Sequence, residues 1–318
     1  MAGFLFFQYN NHMDQYTPPS ITQQVTVLLP PATKLMGDSF RYYRDHWQTV
    51  VGIILVPFAI GMAEIVLFLT GIFSPLLFFL LGVGASIASI LSWIALVYAL
   101  SDPTLGTTSA YKKSISAFFS YAFVSALVMF SGLGGLVLLV IPGVIVSILL
   151  SLSLYVFVAE NKKGISALTG SWHYAAGNIG ALLWRFLFLF LVIILLTIPI
   201  SIFTAGSLFV DIFQGRMPIG GNFQTPSILV GNILGSLINS FIILPISIIY
   251  TYGIYLSLKR FTQIPASPER EQKLRRYVIA LSIIGVIGLI LFVALFALAF
   301  LYFASYGNFS PSFLRYMF

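Results

Sequence analysis

Residues 118–159 read FFSYAFVSALVMFSGLGGLVLLVIPGVIVSILLSLSLYVFVA, 42 residues without a charged side chain. As a single helix this stretch would be ~60 Å long at 1.5 Å per residue, about twice the thickness of membrane hydrocarbon. Ile141-Pro142-Gly143 interrupts it. Proline removes an amide donor and collides with the preceding turn, and glycine admits the dihedrals that a reversal needs. The stretch therefore reads as two membrane helices joined by a tight hairpin that turns at Ile141-Pro142-Gly143 on the outer face.

Five further apolar runs have the length to cross hydrocarbon: Thr49 to Ile72, Leu76 to Leu100, Ile179 to Phe203, Ile228 to Leu258 and Tyr277 to Phe303. With the hairpin they make seven spans. Hydrophobic residues are 59% of the chain and charged ones 8%, against about 25% charged in a soluble domain. The fold class expected is an all-α polytopic membrane protein. It is a bundle of about seven transmembrane helices, a six-helix core plus one C-terminal helix.

The basic residues decide the orientation expected. Lys34, Arg41 and Arg44 precede the first span, Lys112 and Lys113 follow the second, and Lys162 and Lys163 follow the fourth. Lys259, Arg260, Arg270, Lys273, Arg275 and Arg276 lie between the sixth and seventh. All thirteen fall on one side of the membrane; the other side holds Arg216 and Arg315, and Arg185 lies within the fifth span. That bias puts the N-terminus in the cytoplasm and the C-terminus outside, in a multi-pass cell-membrane protein. The net charge of +7 then points to anionic lipid headgroups rather than nucleic acid.

The domain layout follows. Residues 1–33, rich in Gln, Asn, Thr and Pro, read as a disordered tail. Residues 34–258 form a six-span domain, 259–276 a basic cytoplasmic loop, 277–304 the seventh helix and 305–318 a short tail. Three short amphipathic segments fit helices lying in the cytoplasmic interface. Their apolar faces are Met36, Phe40, Tyr43 and Trp47; Tyr111, Ile115, Phe118 and Ala122; and Ile165, Leu168, Trp172 and Ala175. Ser39-Phe40-Arg41-Tyr42 lines up with Ser171-Trp172-His173-Tyr174, which suggests a duplicated unit of interfacial helix plus hairpin.

From Ile141 the chain reads IPGVIVSILLSLSLYVFVAENKKGISALTGSWHYAAGNIGALLWRF. With Pro142-Gly143, Glu160, Gly164, Ala167, Ser171 and Gly177-Asn178, it resembles the membrane domain associated with glycerophosphoryl diester phosphodiesterases and the related YciC-like integral membrane proteins. The opening segment LMGDSFRYYRDHWQTVV is similar to that family as well. The resemblance covers residues 33 to 258. In such proteins the phosphodiesterase is a separate soluble barrel, for which this chain has no room. The resemblance implies a membrane domain and not a hydrolase.

Few residues carry candidate chemistry. Glu64 is the one acid inside a span, and a buried ionisable group in lipid is a candidate for function. Arg185 lies ~10 Å into its span, where a long stem lets the guanidinium reach the inner headgroups. Asn178, Asn232 and Asn239 complete the intramembrane polar set. Glu160 reads as the cap of the third amphipathic helix. His12, His46 and His173 have no metal-ligand spacing. Zero cysteines exclude disulfides and thiolate sites. No serine-hydrolase, zinc-protease or P-loop signature occurs. No cofactor is therefore expected.

Gly231, Gly235 and Asn239, Gly82 with Ser86, and Ala85 with Ser89 form small-residue faces. They suit packing within the bundle and offer a route to a homo-oligomer or a protein partner. Two functions stand open. One is a non-enzymatic scaffold or accessory protein that interacts with lipids or partner proteins. The alternative is a transporter or permease for a small or lipid-like molecule, using Glu64, Asn178, Asn232 and Asn239 beside Pro57, Pro199 and Pro245.

Overall fold

The computed structural model describes residues 29–70, 74–213, 226–261 and 268–306. All regular structure among them is helical, and seven helical segments are long and apolar enough to cross a membrane. The chain is a multi-pass membrane protein of all-α class.

Two antiparallel helices open the bundle, α2 (Trp47–Leu69) and α3 (Pro75–Ser101). Ser74 accepts a hydrogen bond from the Leu77 N–H, and Pro75 takes the first helical position, where its missing donor costs nothing. The central stretch folds as α4 (Thr107–Leu138), α5 (Val140–Leu150) and α6 (Ser153–Glu160). Then come α8 (Ile179–Phe213), α9 (Pro226–Ile238), α10 (Leu244–Phe261) and α11 (Pro268–Tyr306). Two shorter helices, α1 (Ala32–Asp45) and α7 (Ile165–Ala175), precede α2 and α8.

The hairpin forms, with its turn three residues before the expected place. Leu139 alone is extended, at φ −174° and ψ 158°. Pro142 sits in the first turn of α5, where it breaks no bond. The arms touch at Gly135 and Gly143, where a Cβ on Gly135 would stand 2.9 Å from the Gly143 Cα. Glycine is required there by approach, not by dihedral freedom.

The sixth span is not one α-helix. Asn239–Ile243 forms a π turn between α9 and α10. Pro245 cannot donate to the Phe241 carbonyl, and the wider turn accommodates that gap.

Four expectations need correction. Leu29 is buried in the core and α1 begins at Ala32, so the ordered chain starts before residue 34; residues 1–28 lie outside the described part. The second amphipathic segment is no separate helix but the first turns of α4, with Ala110, Ser114 and Tyr121 buried and Ile115 exposed. The buried face of α1 is Leu35, Met36, Ser39 and Tyr42, while Phe40 and Trp47 are exposed. The basic loop is largely helix: Lys259 and Arg260 end α10, and Arg270 to Arg276 lie in α11. Residues 262–267 and 307–318 lie outside the described part.

The suggested duplication has a structural counterpart. Ser39 and Ser171 are both buried, as are Tyr42 and Tyr174. Tyr42 Oη donates to the Ala99 carbonyl near the end of α3, and Tyr174 Oη donates to Glu160 at the end of α6. Each of these helices thus hooks a tyrosine onto the end of another.

Candidate functional site

Glu160 ends α6 and organises the polar chemistry at one end of the bundle. It does not cap α7, whose N-cap is Gly164 at φ 56°. Asn161, at φ 54°, turns the chain away from α6. The Glu160 side chain, 11% exposed, faces inward instead. Its Oε1 accepts from Tyr174 Oη and Tyr255 Oη, both at 2.8 Å, and lies 3.5 Å from Lys259 Nζ. Its Oε2 pairs with Lys162 Nζ at 2.9 Å. Burial, then the hydrogen bond and charge of Glu160, raise the Tyr174 phenol above its ordinary pKa and keep it a donor. One carboxylate ties α6, α7 and α10 together. Sequence reasoning missed the role, because Tyr255 and Lys259 come from a distant helix and leave no local signal beside Glu160.

Arg185 is also turned into the protein. It is 8% exposed and donates only to carbonyls. Nη2 bonds the oxygens of Leu29 at 2.6 Å and Pro30 at 2.8 Å, Nε bonds Pro30 at 3.1 Å, and Nη1 bonds Ala181 at 2.7 Å. The Arg185 carbonyl accepts from Tyr250 Oη at 3.1 Å. A planar fork with several donors suits a bare turn of backbone. Arg185 therefore clamps the segment that leads into α1.

The other candidates are scattered. Glu64 packs across α2–α3 near Gly82, and its Oε1 is buried with no hydrogen-bond partner among the described residues. Asn178 starts α8, its carbonyl accepting from the Leu182 N–H. Asn232 and Asn239 come together, lining an open groove of about 740 Å³ between α8 and α9 with Ser201, Thr204 and Ser236. Gly231 and Gly235 pack there against Thr204 and Ile200. Their expected packing role is thus realised within the chain, while both asparagines remain exposed.

Another close crossing was not singled out from the sequence. A methyl group on Gly134 would meet the Leu281 carbonyl, and one on Gly285 the Phe130 carbonyl. Ser131 Oγ and Ser282 Oγ share a hydrogen bond of 2.8 Å beside them. The signal was present as Ser-x-x-Gly in both helices, at 131–134 and 282–285.

A cleft of about 330 Å³ opens between α7 and α11. Lys163 and Arg275 line it with Ser166, Thr169 and Glu271, and Phe123 forms its apolar edge. Lys162 is committed to Glu160, whereas Lys163 and Arg275 have no carboxylate within 4.0 Å among the described residues. The cleft can hold an anionic group beside an apolar chain. Among the described residues no group of three or more His, Asp or Glu is placed to hold a metal. No family model, no curated protein and no solved structure matches this chain.

Proposed function

We propose that this protein is a non-enzymatic membrane scaffold or accessory protein. Its inner face, carrying the thirteen basic residues, lies against anionic phospholipid headgroups of the cell membrane. The N-terminus is cytoplasmic and the C-terminus outside. The membrane domain of glycerophosphoryl diester phosphodiesterases, without the catalytic barrel, remains the family it resembles on Pro142-Gly143, Glu160 and Ser171.

The observation that carries the reading is the packing of the inner half. Tyr155, Tyr252 and Tyr255 are buried there in a row of ring contacts, and Trp93 packs on Tyr155. The void between α1, α3 and α10, lined by Tyr42, Leu96 and Ile249, is about 10 Å³, room for about one water. A substrate pathway needs a polar cavity at depth. The open groove that holds Asn232 and Asn239 is the observation that favours the transporter alternative, and the test includes it.

The test is purification in mild detergent, with co-purifying proteins and lipids identified by mass spectrometry, alongside reconstitution into proteoliposomes. Retained anionic lipid or a stoichiometric partner, with no solute flux, supports the scaffold. Flux abolished by Glu64→Gln or by Asn232→Leu with Asn239→Leu overturns it in favour of the transporter.

A further inference from the structure

We infer that the cleft between α7 and α11 holds the phosphodiester headgroup of one membrane phospholipid. The site rests on the proposed contact with anionic lipid and goes beyond it, since a charged face alone attracts many headgroups and fixes none. Lys163 comes from the turn before α7 and Arg275 from α11, and both line the cleft. Neither has a carboxylate within 4.0 Å among the described residues. The nearby Lys162 and Lys259 are spent on Glu160. Glu271 lines the cleft as well, one turn before Arg275, without pairing to either cation. Two cations and one carboxylate leave the cleft one net positive charge.

That balance selects the anion. A phosphodiester carries one negative charge on two free oxygens, so Lys163 can meet it as a point charge while the Arg275 fork donates to both. Glu271 disfavours a headgroup with a second negative charge. Ser166 Oγ donates to the Lys163 carbonyl at 2.6 Å, and Thr169 Oγ1 to the Ser166 carbonyl at 3.2 Å. Both hydroxyl protons are thus used on the first turn of α7, and the cations alone hold the anion. The two hydroxyl oxygens and Glu271 are left as acceptors. They suit a headgroup that brings its own O–H donors beyond the phosphate, as glycerol does.

The depth of the cleft points to a lipid and not to a soluble phosphate. Lys163 lies four residues past the end of the apolar stretch 118–159, and Arg275 two residues before the run that starts at Tyr277. Phe123, the apolar edge, lies inside that stretch and is 57% exposed. A Cβ on Gly164 would stand 3.5 Å from its ring, so the ring packs beside the turn that carries Lys163. The charged wall therefore comes from outside the apolar runs and the aromatic edge from within them, which is the border of headgroups and hydrocarbon. The volume of about 330 Å³ is at the low end for a small-molecule site. It takes a headgroup and leaves the acyl chains in the bilayer, running past Phe123.

The test titrates the full chain in nonionic detergent with phosphatidylglycerol, and native mass spectrometry reads the affinity of the first lipid bound. Lys163→Gln with Arg275→Gln should weaken it about tenfold or more. Lys112→Gln with Lys113→Gln, an equal loss of charge near the start of α4, should change it less than about twofold. Ser166→Trp fills the cleft without changing charge and should weaken binding as much as the first pair. Unfolding temperatures check that each variant folds, and the two double variants decide the case should the tryptophan substitution not fold. Deacylated glycerophosphoglycerol at equal concentration should leave the lipid bound. Equal weakening by the two double variants, or parent affinity in a folded Ser166→Trp chain, overturns the site and leaves the general attraction of the charged face standing. Displacement by the deacylated headgroup overturns the lipid as occupant. A parent chain that binds no phosphatidylglycerol would refute both the site and the proposed contact with anionic lipid.

Discussion

Replacing Glu160 by glutamine keeps the side-chain shape and one oxygen acceptor while removing the charge. Tyr174 and Tyr255 would then donate to a neutral amide. The change from charge-assisted to neutral bonds costs about 1 kcal/mol for each tyrosine. Lys162 and Lys259 lose their counter-charge, but their side chains are 44% and 43% exposed. Screening limits those two contributions to about 0–1 kcal/mol each. The expected destabilisation is about 2–4 kcal/mol. A double-mutant cycle separates the cluster from general damage. Tyr255→Phe should cost about 1.5–3 kcal/mol with Glu160 present and close to nothing in a Glu160→Ala background. Reversible unfolding of the detergent-solubilised chain reads these differences. An equal cost for Tyr255→Phe in both backgrounds would show that the carboxylate does not couple α6 to α10.

Arg185→Gln should free the segment before α1: a cysteine at Leu29, protected from maleimide in the parent, becomes reactive. Continued protection would refute the clamp. Gly134→Ala and Gly285→Ala should each destabilise by about 2 kcal/mol or more, since the added methyl meets backbone rather than a movable side chain. Gly84→Ala, where a Cβ meets nothing within 4 Å, should be neutral or slightly stabilising, and a comparable loss there would void the comparison. Glu64→Leu relieves a buried oxygen without a partner and should leave stability unchanged or raise it by about 1–2 kcal/mol. A clear loss would point to a bond made in another state. A reporter fused after Lys163 should read cytoplasmic and one after Met317 outside; equal readings would sink the orientation.

The run lengths and the need for a break in the central stretch were legible because hydrophobicity and length set them, and each expected span is helical; the turn itself falls at Leu139 and not at Pro142. Boundaries at the charged ends of the spans were not legible. At Thr107 and Pro268 the helix continues through charged turns, because backbone bonding does not stop where hydropathy does. Glu160 and Arg185 were visible as residues and misjudged in direction. Each had an outward reading that local chemistry allows, a helix cap for one and headgroups for the other. What turned them inward was a partner far along the chain, Tyr255 for the acid and the Leu29–Pro30 carbonyls for the arginine. Single-sequence periodicity carries no such pairing. The groove that joins Asn232 to Asn239 was half legible, since the two lie seven residues apart on one face. Its other wall, Ser201 and Thr204, comes from a different helix.

Polar bonding and close packing are unevenly shared along the membrane normal. The bonds that join separate helices gather toward one end: Tyr42 on α3, Tyr111 and Ser92 on the Ile53 carbonyl of α2, Ser171 on the α5–α6 break, and the Glu160 cluster. Toward the other end, α8, α9 and α11 extend with exposed apolar sides. Helices in lipid gain no hydrophobic energy from meeting one another, so order there depends on hydrogen bonds and close backbone approach. The end that holds Glu160 has both. Toward the other end order rests mainly on close approach, Gly231 on Thr204, Gly134 on Gly285 and Gly135 on Gly143. The hydrogen-bonded core of this protein is therefore the layer around Glu160, and the opposite end of the bundle has fewer bonds to break.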